Sequence, residues 1–187
     1  YYYETPTPGA ENGVGNLGFV ATPTFSVPRG LYEENFTLTL STATPGAEIY
    51  YTTNGDTPTP QNGTLYTGPI AITGTTVVKA GAFKADHYDA VVDTHTYLFV
   101  RDIVSQSHQS TLNAGFPTTW GGVTPDYGMD PDVIGTWNSA GNSLGGYIFG
   151  GQYAATIKDD LLAIPTLSLV MDIDDLLGPN GIYTLST

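Results

Sequence analysis

The segment Ile49-Tyr50-Tyr51-Thr52-Thr53-Asn54-Gly55-Asp56-Thr57-Pro58-Thr59, followed by Gly63-Thr64-Leu65-Tyr66-Thr67-Gly68-Pro69-Ile70, constrains the fold more than any other stretch. Ile49 and Tyr51 alternate with Tyr50 and Thr52, the period-two pattern of a strand with one buried face. Asn54-Gly55 accepts the positive φ of a tight turn. Pro58 and Pro60 hold the connecting loop extended, and the chain after Gly63 returns as a second strand. A strand, a forced turn, a proline-pinned loop and a return strand lead to antiparallel β-structure.

The same punctuation recurs. Strand signals fall at Phe25–Val27, Phe36–Leu40, Ile49–Thr53, Ile70–Ile72, Thr76–Phe83 and Val91–Phe99, with turn clusters between them. Short strands at this spacing predict a mainly β chain, with an immunoglobulin- or fibronectin-like antiparallel sandwich over residues 21–100. In the last strand Val92, Thr94, Thr96 and Leu98 share one face, and His95 is expected at the surface. Residues 1–20 read as an extended Tyr/Pro/Gly-rich arm and linker, because Pro6, Pro8 and the run Gly9–Gly18 interrupt what three tyrosines begin. Residues 101–187 read as a smaller, irregular α+β region. Its elements are a short helix within Arg101–Gln109, a helix over Gln152–Leu162 ended by Pro165, an apolar strand over Thr166–Met171 and an acidic turn at Asp172–Asp175.

The Ile49–Ile70 motif resembles the C-terminal β-sandwich module of chitobiases and hexosaminidases, a fibronectin-associated type also found in large secreted bacterial proteins. That family reads I-x-Y-T-x-D-G-x-x-P-T and then Y-x-x-P-I; Asn54 stands here for the Asp. Thr75–Phe83 and Thr96-Tyr97 fit the same pattern, so the resemblance covers about residues 22–100. It implies an accessory module rather than a catalyst. Tyr3–Gly13 resembles the closing strand of a lamin-tail-type sandwich. Phe116–Trp120, Asp126–Asp132 and Pro165–Met171 resemble the linker that precedes spore-coat-protein-H-type kinase domains in such proteins, with Asn138–Gly151 as a Gly-rich insertion. No kinase residue carries over.

Composition narrows the partners. Five Lys+Arg against 18 Asp+Glu leave a net charge of −13, which argues against nucleic acid and anionic membranes. With no cysteine, disulfides and thiolate metal sites are excluded. No apolar run approaches the roughly 18–20 residues that span a bilayer. The start lacks an initiator Met and a signal sequence, so the chain is expected to begin inside a longer precursor or at a processed end. Asn35-Phe36-Thr37 and Asn62-Gly63-Thr64 fit the glycosylation sequon.

Few residues invite chemistry. Asp126, Asp130 and Asp132 form one acidic cluster and Asp172, Asp174 and Asp175 another. Neither has EF-hand spacing, and turn capping and helix starts explain them better than calcium does. His87, His95 and His108 have no metal-ligand spacing. Ser105, Ser107 and Ser110 lack a nucleophile motif. Glu4, Glu11, Glu33, Glu34 and Glu48 suggest no pair of opposed acids. The Gly145-Gly146 and Gly150-Gly151 doublets lack the Lys and Ser/Thr of a phosphate loop and read as edges of a strand around Tyr147–Phe149. Tyr50, Tyr51, Tyr66, Trp120, Tyr127 and Trp137 are candidate sugar-stacking rings, each also explicable as core.

The expected function is a non-catalytic structural or assembly protein, secreted or at the cell surface, with no cofactor and no catalytic or metal residue. Tyr1, Tyr2 and Tyr3 would anchor the arm by strand addition to another copy or a neighbouring domain, with Gly9–Gly18 as hinge. The alternative is a carbohydrate-binding or spacer module of a larger secreted bacterial protein, with a glycan as partner.

Overall fold

The computed structural model describes residues 1–5, 7–119, 122–130, 133 and 153–182. The strands are β1 (Thr24–Phe25), β2 (Gly30–Tyr32), β3 (Phe36–Leu38), β4 (Leu40–Ser41), β5 (Glu48–Thr52), β6 (Thr64–Leu65), β7 (Ile70–Ile72), β8 (Thr76–Phe83) and β9 (Asp93–Phe99). Four described helices follow: α1 (Val100–Val104), α2 (His108–Asn113), α3 (Ile157–Ala163) and α4 (Ile173–Leu177). The chain is mainly β, as its periodicity predicts. It divides into two compact units, one of Tyr1–Gly30 with Asn35–Tyr97 and one of Leu31–Glu34 with Leu98–Thr187.

A five-stranded sheet runs in the order β2-β9-β8-β5-β6, and two-stranded sheets pair β1 with β4 and β3 with β7. In the first unit the central register sets Ile49 opposite Ala82, Tyr51 opposite Ala80 and Val78 opposite His95. Because side chains alternate, these residues and Tyr97 share one face. On it Val78, Ala80, Ala82 and Tyr97 are fully buried, as are Leu38 and nearly so Ile72 from the β3–β7 pair. Phe36 meets Tyr97 edge-on at 5.1 Å and Phe25 stacks on His95 at 3.9 Å. The small sheets therefore cover the large one as a sandwich.

This geometry corrects the expectation for His95, which is 9% exposed rather than a surface residue. Parity explains the difference. His95 shares its face of β9 with Tyr97, whose ring carries far more apolar area than the Thr94/Thr96 face, and a strand cannot turn one without the other. Every buried side-chain nitrogen and oxygen among the described residues has a partner, as a well-formed interior requires.

Between β5 and β6 the chain folds into a self-bonded loop. Gly55 alone in it takes positive φ, at 92°, while the Asn54 side chain accepts from the Asp56 amide at 3.2 Å. Asn62 Oδ1 accepts from the Thr59 amide and hydroxyl at 2.7 and 2.9 Å, and its Nδ2 donates to the Thr57 carbonyl at 3.0 Å. The sequon asparagine is thus a structural strut. Pro58, fully buried, anchors the loop.

The N-terminal arm closes on its own unit. Tyr2 exchanges two backbone hydrogen bonds with Asn16, at 2.7 and 2.9 Å. Gly15 permits this approach, since a Cβ there would lie 2.7 Å from the Tyr3 ring. Leu17–Val20 then run beside Asp86–Tyr88, and the rings of Tyr2, Phe19 and Tyr88 follow one another at 4.9 and 5.0 Å.

In the second unit Phe99 is buried beside Tyr32, and the Arg101 guanidinium lies 4.4 Å above its ring while donating to the Glu33 carbonyl. The single helix expected within Arg101–Gln109 is two, because Ser107 ends the extended link and caps α2 in a capping box with Ser110. The helix expected over Gln152–Leu162 is found as Ile157–Ala163, where α3 packs on α1; Gln152 lies outside the described residues. The strand expected over Thr166–Met171 is absent. Among the described residues no strand pairs with this segment, and Leu167 and Leu169 are 83% and 70% exposed. An apolar run without a ladder partner does not make a strand.

Candidate functional site

The face of the large sheet opposite the core carries Glu48, Tyr50, Lys79, Gly81 and Phe83 on β5 and β8. Glu48 and Phe83 are direct cross-strand partners at the open end of these strands. Gly81 lies beside them, and a Cβ there would sit 3.0 and 3.1 Å from Phe83 Cε2 and Cζ. Its missing side chain lets the Phe83 ring fold down over the sheet. The Tyr50 ring meets Phe83 edge-on at 5.8 Å, and its hydroxyl donates to Glu48 at 3.2 Å. Desolvation, with the hydrogen bond and charge of Glu48, holds that hydroxyl above the usual tyrosine range.

Around this end the structure forms a groove of about 630 Å3. It is lined by Glu48 and Phe83 of the paired strands, by Thr59 and Gln61 of the β5–β6 loop, and by Lys84 and Asp89 from beyond β8. The walls are fixed: Thr59 is clamped by Asn62, and Lys84 Nζ donates to the Pro45 carbonyl at 2.9 Å. One partly buried ring with carboxylate, amide and hydroxyl groups around it can stack an apolar face and hydrogen-bond a polar rim. It offers no nucleophile paired with a base.

A second constellation is buried. His95 stacks on Phe25, its Nδ1 lies 3.3 Å from both the Val27 carbonyl and the Tyr97 hydroxyl, and its Nε2 lies 3.5 Å from Asp93 Oδ2. Asp93 Oδ1 also pairs with Arg29 at 3.3 Å. Burial lowers the His95 pKa, the Asp93 charge opposing it and the Arg29 charge adding to it. With His95 held between a ring and a carbonyl, this is a core fastening rather than an open site.

The other candidates are placed as follows. Tyr1, Tyr2 and Tyr3 are 79%, 52% and 43% exposed on the closed arm. Tyr50 contacts the groove residues Phe83 and Glu48, whereas Tyr51 lies on the opposite face of β5. Tyr127 packs between His108 and Phe116 and donates to the Pro117 carbonyl at 2.7 Å. Asp126 accepts from the Gly128 amide, and Asp172 caps α4 through the Asp174 amide. His87 lies in the turn after β8, its Nδ1 2.9 Å from the Ala85 carbonyl. No group of three metal-ligating side chains occurs among the described residues, and none of the described helices is long and apolar enough to cross a membrane. Trp120, Asp132, Trp137, Tyr147–Phe149 and the two Gly doublets lie outside the described residues.

The groove was not among the sequence candidates. Glu48, Gln61, Phe83 and Asp89 are distant in sequence; the β5–β8 register brings Glu48 to Phe83, and the β5–β6 loop and the turn after β8 bring in Gln61 and Asp89. No curated protein matches the chain. Among solved structures, a superoxide reductase (neelaredoxin) from Ignicoccus hospitalis aligns at 12% identity and a TM-score of 0.29, over 43% of this chain and 82% of its own. Residues 27–94, from the approach to β2 to the start of β9, match the family model described as the chitobiase/beta-hexosaminidase C-terminal domain, and it is to that module that this sandwich is similar.

Proposed function

We propose that this chain is a non-catalytic, carbohydrate-associated accessory module of a larger protein, secreted or displayed at the cell surface. The observation that carries the reading is the match of residues 27–94 to the chitobiase/beta-hexosaminidase C-terminal domain. A fixed sandwich of this kind supplies binding surface or spacing, while reaction chemistry belongs to a neighbouring domain. The arm, folded back on its own unit, fits a module that works singly. Glycan-array screening of the chain is expected to give selective binding to uncharged polysaccharide fragments at micromolar to millimolar Kd. Uniform silence across such an array, with the protein folded by circular dichroism, sinks the binding role and leaves a spacer.

A second reading rests on the exposure of Tyr1, Tyr2 and Tyr3, which three consecutive aromatic residues at a strand-forming terminus rarely retain without a partner. In it, the arm opens at Gly9–Gly18 and adds to the sheet edge of another copy, a head-to-tail contact that does not close and builds fibres. Negative-stain microscopy tests this. Filaments that disappear when residues 1–8 are deleted support it, and single particles from the intact chain at high concentration dismiss it.

A further inference from the structure

We infer that the groove between the β5–β6 loop and the turn after β8 binds an uncharged sugar unit, stacked on Phe83 and hydrogen-bonded by Glu48, Gln61 and Asp89. This deepens the carbohydrate-associated reading and rests on it, assigning the contact surface and the ligand's chemistry. Three observations carry the assignment.

The first is size and fixity. A volume of about 630 Å3 lies within the range of small-ligand clefts, roughly 300–1,000 Å3. Its walls are a loop braced by Asn62 and a lysine tied to a carbonyl, so little order is lost on binding.

The second is the floor. Phe83 lies over a glycine, against the edge of Tyr50, at the mouth of two paired strands. A pyranose ring has one face of axial C–H bonds, which packs on such a ring, and an equatorial belt of hydroxyls. Glu48 and Asp89 are acceptors only, which suits hydroxyl donors, while the Gln61 amide both gives and takes. A sugar ring is the ligand class that needs an apolar floor and such a rim together.

The third is charge. Two carboxylates face one lysine already engaged at Pro45, within a chain of net charge −13. Sulfated and uronic-acid glycans are therefore repelled. The same charges leave neutral hexose and N-acetylhexosamine units unopposed. Tyr1, Tyr2 and Tyr3 do not line this groove, so the arm is dispensable for binding.

The test is calorimetric titration of the full chain with neutral pentasaccharides of N-acetylglucosamine, glucose and mannose, and with a heparin pentasaccharide. At least one neutral probe is expected to bind and heparin to fail. Phe83→Ala is expected to weaken binding about tenfold or more, as for the central anchor of an interface. Because Phe83→Ala also removes packing, Gln61→Ala and Asp89→Asn, both exposed rim changes, provide the decisive arm and are each expected to weaken binding several-fold. Gly81→Ala, which lifts the Phe83 ring, is expected to do the same without touching the ligand. Neutral-glycan binding that persists unchanged in all four variants overturns this site while sparing the broader reading. Tighter binding of heparin than of any neutral probe overturns the ligand class. Failure of every probe to bind overturns the groove, while the array screen decides separately whether any binding role survives.

Discussion

Replacing Tyr97 by Ala is expected to destabilise the sandwich by about 3–5 kcal/mol, the range for deleting a large buried ring. Tyr97 is fully buried, meets Phe36 edge-on at 5.1 Å and donates its hydroxyl to the Val27 carbonyl at 3.0 Å. Its removal empties the space between β9 and the β3–β7 pair and takes a hydroxyl donor from the Val27 carbonyl. Tyr97→Phe keeps the ring and loses the hydroxyl, so a cost of about 1 kcal/mol is expected. Urea denaturation of the two variants separates the contributions. A midpoint for Tyr97→Ala within error of the parent would show that the small sheets do not pack on β9 through this ring.

The second large effect is a dependence of stability on pH that originates at His95. Its pKa is lowered in the folded chain, above all by burial, so the folded state holds the imidazole neutral over a range where the unfolded chain already takes up a proton. The resulting stability is complete above about pH 6.5, the ordinary imidazole value, and is lost as pH falls through that value toward the depressed one. One proton's worth, about 1.4 kcal/mol per pH unit, is the ceiling that the slope cannot exceed. Asp93, the nearest counter-charge, moderates the loss, and Arg29 steepens it. His95→Phe, which keeps a ring against Phe25, is expected to flatten the stability profile just below about pH 6.5. A profile that stays as steep in the variant would place the titrating group elsewhere.

How much of this was legible in the sequence follows from the distance over which each feature is decided. Strands β5, β7 and β8 are local matters of alternation and turn residues, and Ile49–Thr52, Ile70–Ile72 and Thr76–Phe83 carry them openly. The facing of β9 is not local. Thr94, Thr96 and their neighbours alternate as cleanly as His95 and Tyr97, and only packing against Phe25 and Phe36 sets His95 and Tyr97 into the sandwich core, while Thr96 is equally buried on the other face. Thr166–Met171 shows the converse: an apolar run that looks like a strand but pairs with none of the strands among the described residues. The two-residue β6 is too short to have a period, and it exists because β5 offers Tyr50 and Tyr51 as pairing partners. The groove was least legible of all. Its floor is Glu48 opposite Phe83, a pairing 35 positions apart that is fixed by the register of β5 on β8. Sequence points to Tyr50 as a possible stacking ring; the fold makes it the support behind Phe83.

The closed arm also stores length. Tyr2 and Asn16 are held together by two backbone hydrogen bonds, while the chain between them runs from residue 3 to residue 15. At about 3.3–3.6 Å per extended residue, that loop contains roughly 45 Å of slack. A tension applied to the N-terminus meets those two bonds, loaded one after the other like a zip, before it reaches any strand of the sandwich. A pull on Tyr1 therefore acts through a latch that yields first. Its release lengthens the arm and leaves the groove beside Glu48 and Phe83 at rest.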